Sequence, residues 1–435
     1  MKRLHLSLLF LFLFISYAFS QQFVNVEEDI RNNACLSASN SLAYPSPSDA
    51  VLTDAPKGYV PFYISHYGRH GSRFLLGSDD YEAPIRVLAS ADSLGRLTAL
   101  GQSVLQRIRL LYKDAEDRYG ELTPLGAEQH KQIAERMFRR FPEVFTGDAF
   151  IDAKSTVVIR CILSMENALQ RLLTLNPKLN ITHDASFHDM YYMNMSDPGL
   201  QNNRMPRKAQ VIYDEYKDNH FSYRRLVGSL FNDSLYVKYE VDSELLADKL
   251  YALAGIVQNT ELRDSLTLYD IFTEDELYGY WQTQNAWWYI NFGGCKLNGG
   301  MQPYTQRNLL RNIISRADDV IHSDNKHGAT LRFGHESMVM PLACLLGING
   351  YDLQTDSIDN LEDYGWINYN IFPMAANIQF VFYKSKKTDD DEIFLKVLLN
   401  EREATLPIQS KIAPYYKWSD FKEYYNSKLD AYDAQ

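Results

Sequence analysis

Two arginines, a histidine and a glycine fall within five residues in Arg69-His70-Gly71-Ser72-Arg73, at the end of an apolar run that begins at Tyr59. Those residue types suit phosphate. A guanidinium is a planar fork of donors that matches phosphate oxygens in pairs, and a neutral imidazole can attack phosphorus as a nucleophile. Gly71 removes a side chain where the backbone must turn tightly. The bland alternative is a basic turn on a solvated surface. Its context argues otherwise: Tyr59 to Ser65 reads as a buried strand, and charge begins where the strand stops. Ligand sites of open α/β sheets lie at the carboxyl ends of strands, which is where this string falls.

Three further segments follow in order: LTPLGAEQH from Leu122, VIRCILS from Val158 and RFGHESMVMPL from Arg332. The elements that must position them can be read coarsely. A helical stretch runs from Thr98 to Tyr119, and a second helix starts with Thr123 as N-cap and Pro124 at its first position. The β-branched segment Thr156 to Ile159 reads as a strand ending at Arg160, followed by a helix that Pro177 stops. From 186 to 300 the β signal disappears into polar, Tyr-rich and helical pieces, which suggests a helical lobe inserted in an α/β domain. A helix from Thr305 to Ile321, a strand from Ala329 to Phe333, a further helix and an antiparallel pair (Asn377 to Tyr383 with Ile393 to Asn400) complete the pattern. Strand ends thereby deliver Arg69, His70 and Arg73, then Arg160, then His335 and Glu336 toward one pocket.

The four segments together resemble the histidine acid phosphatases, clade 2 of the histidine phosphatase superfamily, and most closely the multiple inositol polyphosphate phosphatase and phytase branch. The resemblance runs from about Tyr59 to Gly347. It implies a phosphoglycerate-mutase-like α/β domain, with a central mixed sheet flanked by helices, over 21–185 and 301–435, and an inserted mainly helical domain over 186–300. It also implies a phosphomonoesterase of inositol polyphosphates such as phytate, with His70 as nucleophile and a phosphohistidine intermediate. Arg69, Arg73, Arg160 and His335 would bind the transferred phosphate.

The proton donor is where this chain departs from its relatives. An inositol alkoxide leaves poorly, so a general acid must protonate it as the P–O bond breaks. Relatives carry H-D or H-A-E at this point; here the string is His335-Glu336-Ser337. Glu336 takes the H-D slot with one extra methylene and is the expected donor, since a serine is too weak an acid to serve alone. Leu75 and Leu76 also stand where many relatives have proline and sometimes a lysine for distal phosphates. Arg204, Arg207, Lys208 and Lys296 are candidates for that distal role, but each reads more simply as a solvated surface cation.

Composition is consistent with an exported globular enzyme. The 435 residues are 46% hydrophobic and 23% charged, enough for a large core, with a formal net charge of −11. Such a chain will not bind nucleic acid non-specifically, and a polyanionic substrate needs positive charge gathered in one cleft. Lys2 and Arg3 before a Leu/Phe-rich run, then Ala18 and Ser20, have the layout of a cleaved leader over 1–20, so the expected location is periplasmic or extracellular, with no membrane span afterwards. Four cysteines permit two disulfides. Cys35 and Cys295 could pair, Cys344 reads as a buried thiol, and Cys161 as a residue at a strand end. No cysteine or histidine spacing suggests a metal, and no cofactor is expected. Alternatives are a broad phosphatase of sugar phosphates, an inositol phosphate-binding protein without turnover, or a glycan binder stacking sugars on Trp287 and Trp288, although helical spacing makes those tryptophans core.

Overall fold

The computed structural model describes residues 25–47, 49–194, 197–323, 327–387 and 391–434; the leader expected at 1–20 lies outside them. One mixed sheet organises the molecule. Its strands are β1 (Tyr59–Arg69), β2 (Phe150–Ser155), β3 (Asn180–Asp184), β4 (Gly328–Gly334), β5 (Asn377–Ser385), β6 (Ile393–Leu399), β7 (Arg402–Glu403) and β8 (Tyr416–Lys417). They lie in the order β3-β2-β4-β1-β5-β6-β7, with β8 also on β6. β1 to β4 run parallel; β5 is antiparallel to β1 and opens the antiparallel half.

β1 extends four residues past Ser65 because it is paired on both sides. Arg69 lies opposite Gly334 of β4, and Gly68 opposite Asn377 of β5. Helices cover both faces, so the strand is buried almost throughout and loses the alternation of a half-exposed strand. On one face Ile64, Ile151, Leu331 and Val381 meet helices Pro124–Arg140 and Ile159–Leu175. On the other, Tyr63, Tyr67, Phe380 and Phe382 meet helices Arg307–Ile321, Glu336–Leu346 and Trp418–Asp433.

The strand expected over Thr156 to Ile159 does not form. β2 ends at Ser155, opposite Phe333, and Thr156 makes one last bond to the Phe333 carbonyl at 3.0 Å. Past that point β4 ends and no partner remains, so β-branched propensity gives way to the helix Ile159–Leu175, with Val158 as its N-cap. Arg160 is therefore a first-turn helix residue, not a strand end.

Among the described residues, the stretch from Phe187 to Asn298 holds only helices and turns apart from an isolated bridge between Leu97 and Phe231. Its core joins Leu246, Leu250, Leu277 and Trp281 to Val26, Leu88, Val104 and Ile108, so helices Asp79–Ser93 and Ala99–Ala115 share it. Trp288 is buried against Phe292 and Phe372, and Trp287 packs edge-on against it. All four cysteines are free thiols. Cys35 and Cys295 do not pair because they pack into different cores, Cys35 beside the helical one and Cys295 beside the sheet. No described helix is long and apolar enough to cross a membrane.

Candidate active site

The parallel strands place the ends of β1, β4 and β2 side by side, and the chain leaves each end carrying a charged or imidazole side chain. His70 follows β1, and its amide bonds the Gly334 carbonyl at 2.8 Å, tying the end of β1 to the end of β4. His335 follows β4; its ring stands edge-on to that of His70 with centroids 5.7 Å apart. Its Nε2 lies 3.2 Å from the hydroxyl of Thr156, just past β2.

The His70 ring has a defined tautomer. Nδ1 lies 2.9 Å from the Gly71 carbonyl, which can only accept, so Nδ1 carries the hydrogen and Nε2 keeps its lone pair. Nε2 is buried and has no hydrogen-bond partner. Burial pushes the imidazole well below its usual range, with Arg69 and Arg73 adding to this against the pull of Glu336. His335 is pushed down to about 4, chiefly by burial. Both rings are neutral in the free site.

Three guanidiniums surround them. Arg69 is fully buried, and its Nη1 donates to the carbonyls of Asn40 and Phe372 at 2.7 and 2.9 Å. Burial lowers its pKa to about 10, so it stays charged. Arg73 donates Nη1 to the Phe74 carbonyl at 2.9 Å, and Arg160 reaches the Gly120 carbonyl at 3.4 Å. Arg69 Nη2, Arg73 Nε and Arg160 Nε are buried with no hydrogen-bond partner. Unpaired buried donors on fixed cations are costly, and one anion with several oxygens would satisfy them together.

Glu336 opens the helix Glu336–Leu346, and its Oε2 lies 3.0 Å from Arg69 Nε and 3.6 Å from His70 Nε2. Burial acts to raise its pKa, but Arg69 foremost, with His70 and Arg73, holds it well below the usual carboxylate range. Donor atoms of His70, His335 and Glu336 lie within 4.8 Å of one another, close enough to share an ion. The three neighbouring guanidiniums repel a cation and attract an anion.

All six residues expected from the sequence are thus brought together. The loop that carries His70 and Arg73 is held by residues outside the expected site, of which the sequence marks Thr123 as a helix cap. Ser72 donates its amide to Gln129 Oε1 at 2.9 Å, receives Gln129 Nε2 on its hydroxyl at 2.8 Å, and passes that hydroxyl's hydrogen to Asn259 Oδ1 at 2.6 Å. Thr123, the N-cap of Pro124–Arg140, accepts from the Gly126 amide and donates to the Ser72 carbonyl at 3.1 Å. Ser164 accepts the Gly71 amide at 3.1 Å. The signal was the spacing of Thr123 and Gln129 within LTPLGAEQH; nothing local marked Asn259. Arg207, Lys208 and Lys296 are exposed, while Arg204 stacks on Phe292 with its guanidinium carbon 4.4 Å from the ring centroid.

Solved structures share this architecture. A multiple inositol polyphosphate phosphatase from Bifidobacterium longum, in complex with phosphate, aligns with TM-score 0.74 and 20% identity over 90% of this chain and 98% of that one. Its complex with inositol hexasulfate gives TM-score 0.72 and 19% identity over 89% and 96%. The phytase from D. castellii gives TM-score 0.69 and 15% identity over 92% and 86%. At such identities the likeness is one of fold. No curated protein matches the chain in sequence. The model of the histidine phosphatase superfamily (branch 2) matches residues 68–400, most of the chain, from the glycine before Arg69 to beyond β6. The chain belongs to the histidine phosphatase superfamily, branch 2.

Proposed function

We propose that this protein is a phosphomonoesterase that hydrolyses inositol polyphosphates, phytate among them, through a phosphohistidine on His70. The observation that carries the reading is His70 itself: a neutral imidazole, its Nδ1 held by the Gly71 carbonyl and its Nε2 lone pair left free among three guanidiniums with unpaired donors. Nε2 attacks phosphorus in line while Arg69, Arg73 and Arg160 take up the charge of the equatorial oxygens, the usual source of most stabilisation in phosphoryl transfer. His335, hydrogen-bonded to Thr156, orients a further ring edge at the same phosphate. Glu336 supplies the proton to the departing oxygen, and water then cleaves the phosphohistidine. The likeness to phosphatases solved with phosphate and inositol hexasulfate supports the substrate class. We read 186–300 as an inserted helical lobe, and the first twenty residues as an export signal.

The test is direct. Released phosphate and residual isomers from inositol hexakisphosphate are profiled beside a simple monoester, and the wild-type chain is acid-quenched during turnover for intact-mass analysis. A phosphorylated chain that vanishes in His70→Ala, together with loss of phosphate release, is the expected result. Substantial turnover by His70→Ala would remove the assignment.

A further inference from the structure

Glu336 stands in the place of the anion. Its Oε2 sits 3.0 Å from Arg69 Nε and 3.6 Å from His70 Nε2, between the buried cation and the lone pair that is to attack phosphorus. Only 15% of its side chain is exposed. The contact with His70 is too long for a hydrogen bond, and a lone pair gains nothing from a carboxylate oxygen. Arg69 is what holds the carboxylate there. A phosphoryl group placed for in-line attack by Nε2 needs the same volume and the same guanidinium edge, and two anions cannot share it without heavy repulsion.

We propose that Glu336 is a built-in competitor for the phosphate cradle: an incoming phosphoryl group displaces its carboxylate from Arg69, and the displaced carboxylate takes up a proton. This rests on the phosphatase reading and adds how the acid is loaded. In the free site Glu336 is ionised and therefore unable to donate. Its surroundings are Arg69, His70 and Arg73 from β1 and its loop, Tyr67 within β1, Cys161 from the Ile159–Leu175 helix, and the adjoining His335. Arg160 lies in the same field as Arg69, Arg73 and His335. None of these is an anion at neutral pH, so the charge that drives protonation has to come from the ligand. When a substrate monoanion binds, its own proton can move to Glu336, leaving the bound ester as a dianion. That proton then goes to the leaving oxygen as the P–O bond breaks and the P–Nε2 bond forms, giving the free alcohol, phosphohistidine and an ionised Glu336. No other reactant is required.

Inorganic sulfate tests this without turnover, because it remains a dianion through neutral and mildly acidic pH and cannot itself carry the proton. Titration calorimetry of the full chain at pH 6.5, in two buffers of different ionisation enthalpy, measures protons taken up per sulfate bound. Wild type should take up close to one proton, whereas Glu336→Gln should take up close to none and bind sulfate at least tenfold more tightly. Glu336→Ala should behave as Glu336→Gln, guarding against an effect of the amide itself. Equal proton uptake by wild type and both variants, weaker sulfate binding by the variants, or no binding by any of them would overturn the proposal. Proton-coupled sulfate binding by a chain that released no phosphate from any ester would instead sink the catalytic reading and leave the competitor standing.

Discussion

Gly71 and Gly126 touch backbone to backbone: a Cβ added to Gly71 would lie 2.3 Å from the carbonyl oxygen of Gly126, and one added to Gly126 would lie 2.2 Å from that of Ser72. The loop bearing His70 and the first turn of the Pro124–Arg140 helix therefore leave no room for a Cβ at either glycine. Neither obstacle is a flexible side-chain end, so a methyl group at either position must move the loop.

Gly71→Ala is expected to fold but to displace His70 relative to the guanidiniums. A shift near 1 Å in a reacting group costs on the order of 100-fold in rate. Turnover of an aryl phosphate should fall by about that factor while the unfolding transition stays cooperative. Wild-type turnover by Gly71→Ala would show that the close approach does not set the position of His70.

Glu336→Gln should separate substrates by their leaving groups. General acid catalysis contributes roughly 100- to 10,000-fold where the leaving oxygen needs a proton, and little where a phenolate departs unaided. Phosphorylation of His70 by inositol phosphates should slow by that order, and phosphorylation by an activated aryl phosphate should keep a large share of its rate. Burst kinetics isolates the step from hydrolysis of the phosphohistidine. Ser337→Ala should change little in either case; equal losses on both substrates in Glu336→Gln would point to another donor.

His66 and His130 give the fold an acid limit. Both are buried against Phe333, on β1 and on the Pro124–Arg140 helix, and burial pushes them down to about 4 and about 3. An unfolded histidine takes its proton near pH 6.5, so below that pH the unfolded chain binds more protons than the folded one. The stability contributed by a neutral buried ring is full above about pH 6.5 and declines as pH falls toward the folded value. Between pH 7 and pH 4.5, denaturant titrations should show wild type losing about 2 to 3 kcal/mol more than His130→Gln, which cannot titrate. Parallel losses would mean that His130 does not exclude its proton.

Chelation should leave activity intact. On the proposed reading Arg69, Arg73 and Arg160 supply the positive charge at the phosphate, and the donor atoms of His70, His335 and Glu336 lie inside that field. Phosphate release measured in excess EDTA should match the untreated rate. A loss restored by one divalent ion would show that these three side chains hold a metal after all.

What the amino-acid sequence determined by itself was mostly local. Arg69-His70-Gly71-Ser72-Arg73 after an apolar run, Thr123-Pro124 opening a helix, and Gly334-His335 after Ala329–Phe333 could each be read from neighbours a few residues away, because caps, turns and strand ends depend on short-range sterics and hydrogen bonds. Even the helical character of most of 186–300 followed from composition. Tertiary structure decided what depends on partners distant in the chain. Thr156 to Ile159 has the side chains of a strand, but β4 ends beside Ser155 and no edge remains to pair with. Asn259, remote in sequence, holds the hydroxyl of Ser72. Helices Asp79–Ser93 and Ala99–Ala115 joined the core of the helical lobe because their apolar faces met its helices. The state of Glu336 belongs to the same class: its residue type was legible, but its charge is set by Arg69 3.0 Å away, a contact made only when the ends of β1 and β4 come to lie side by side.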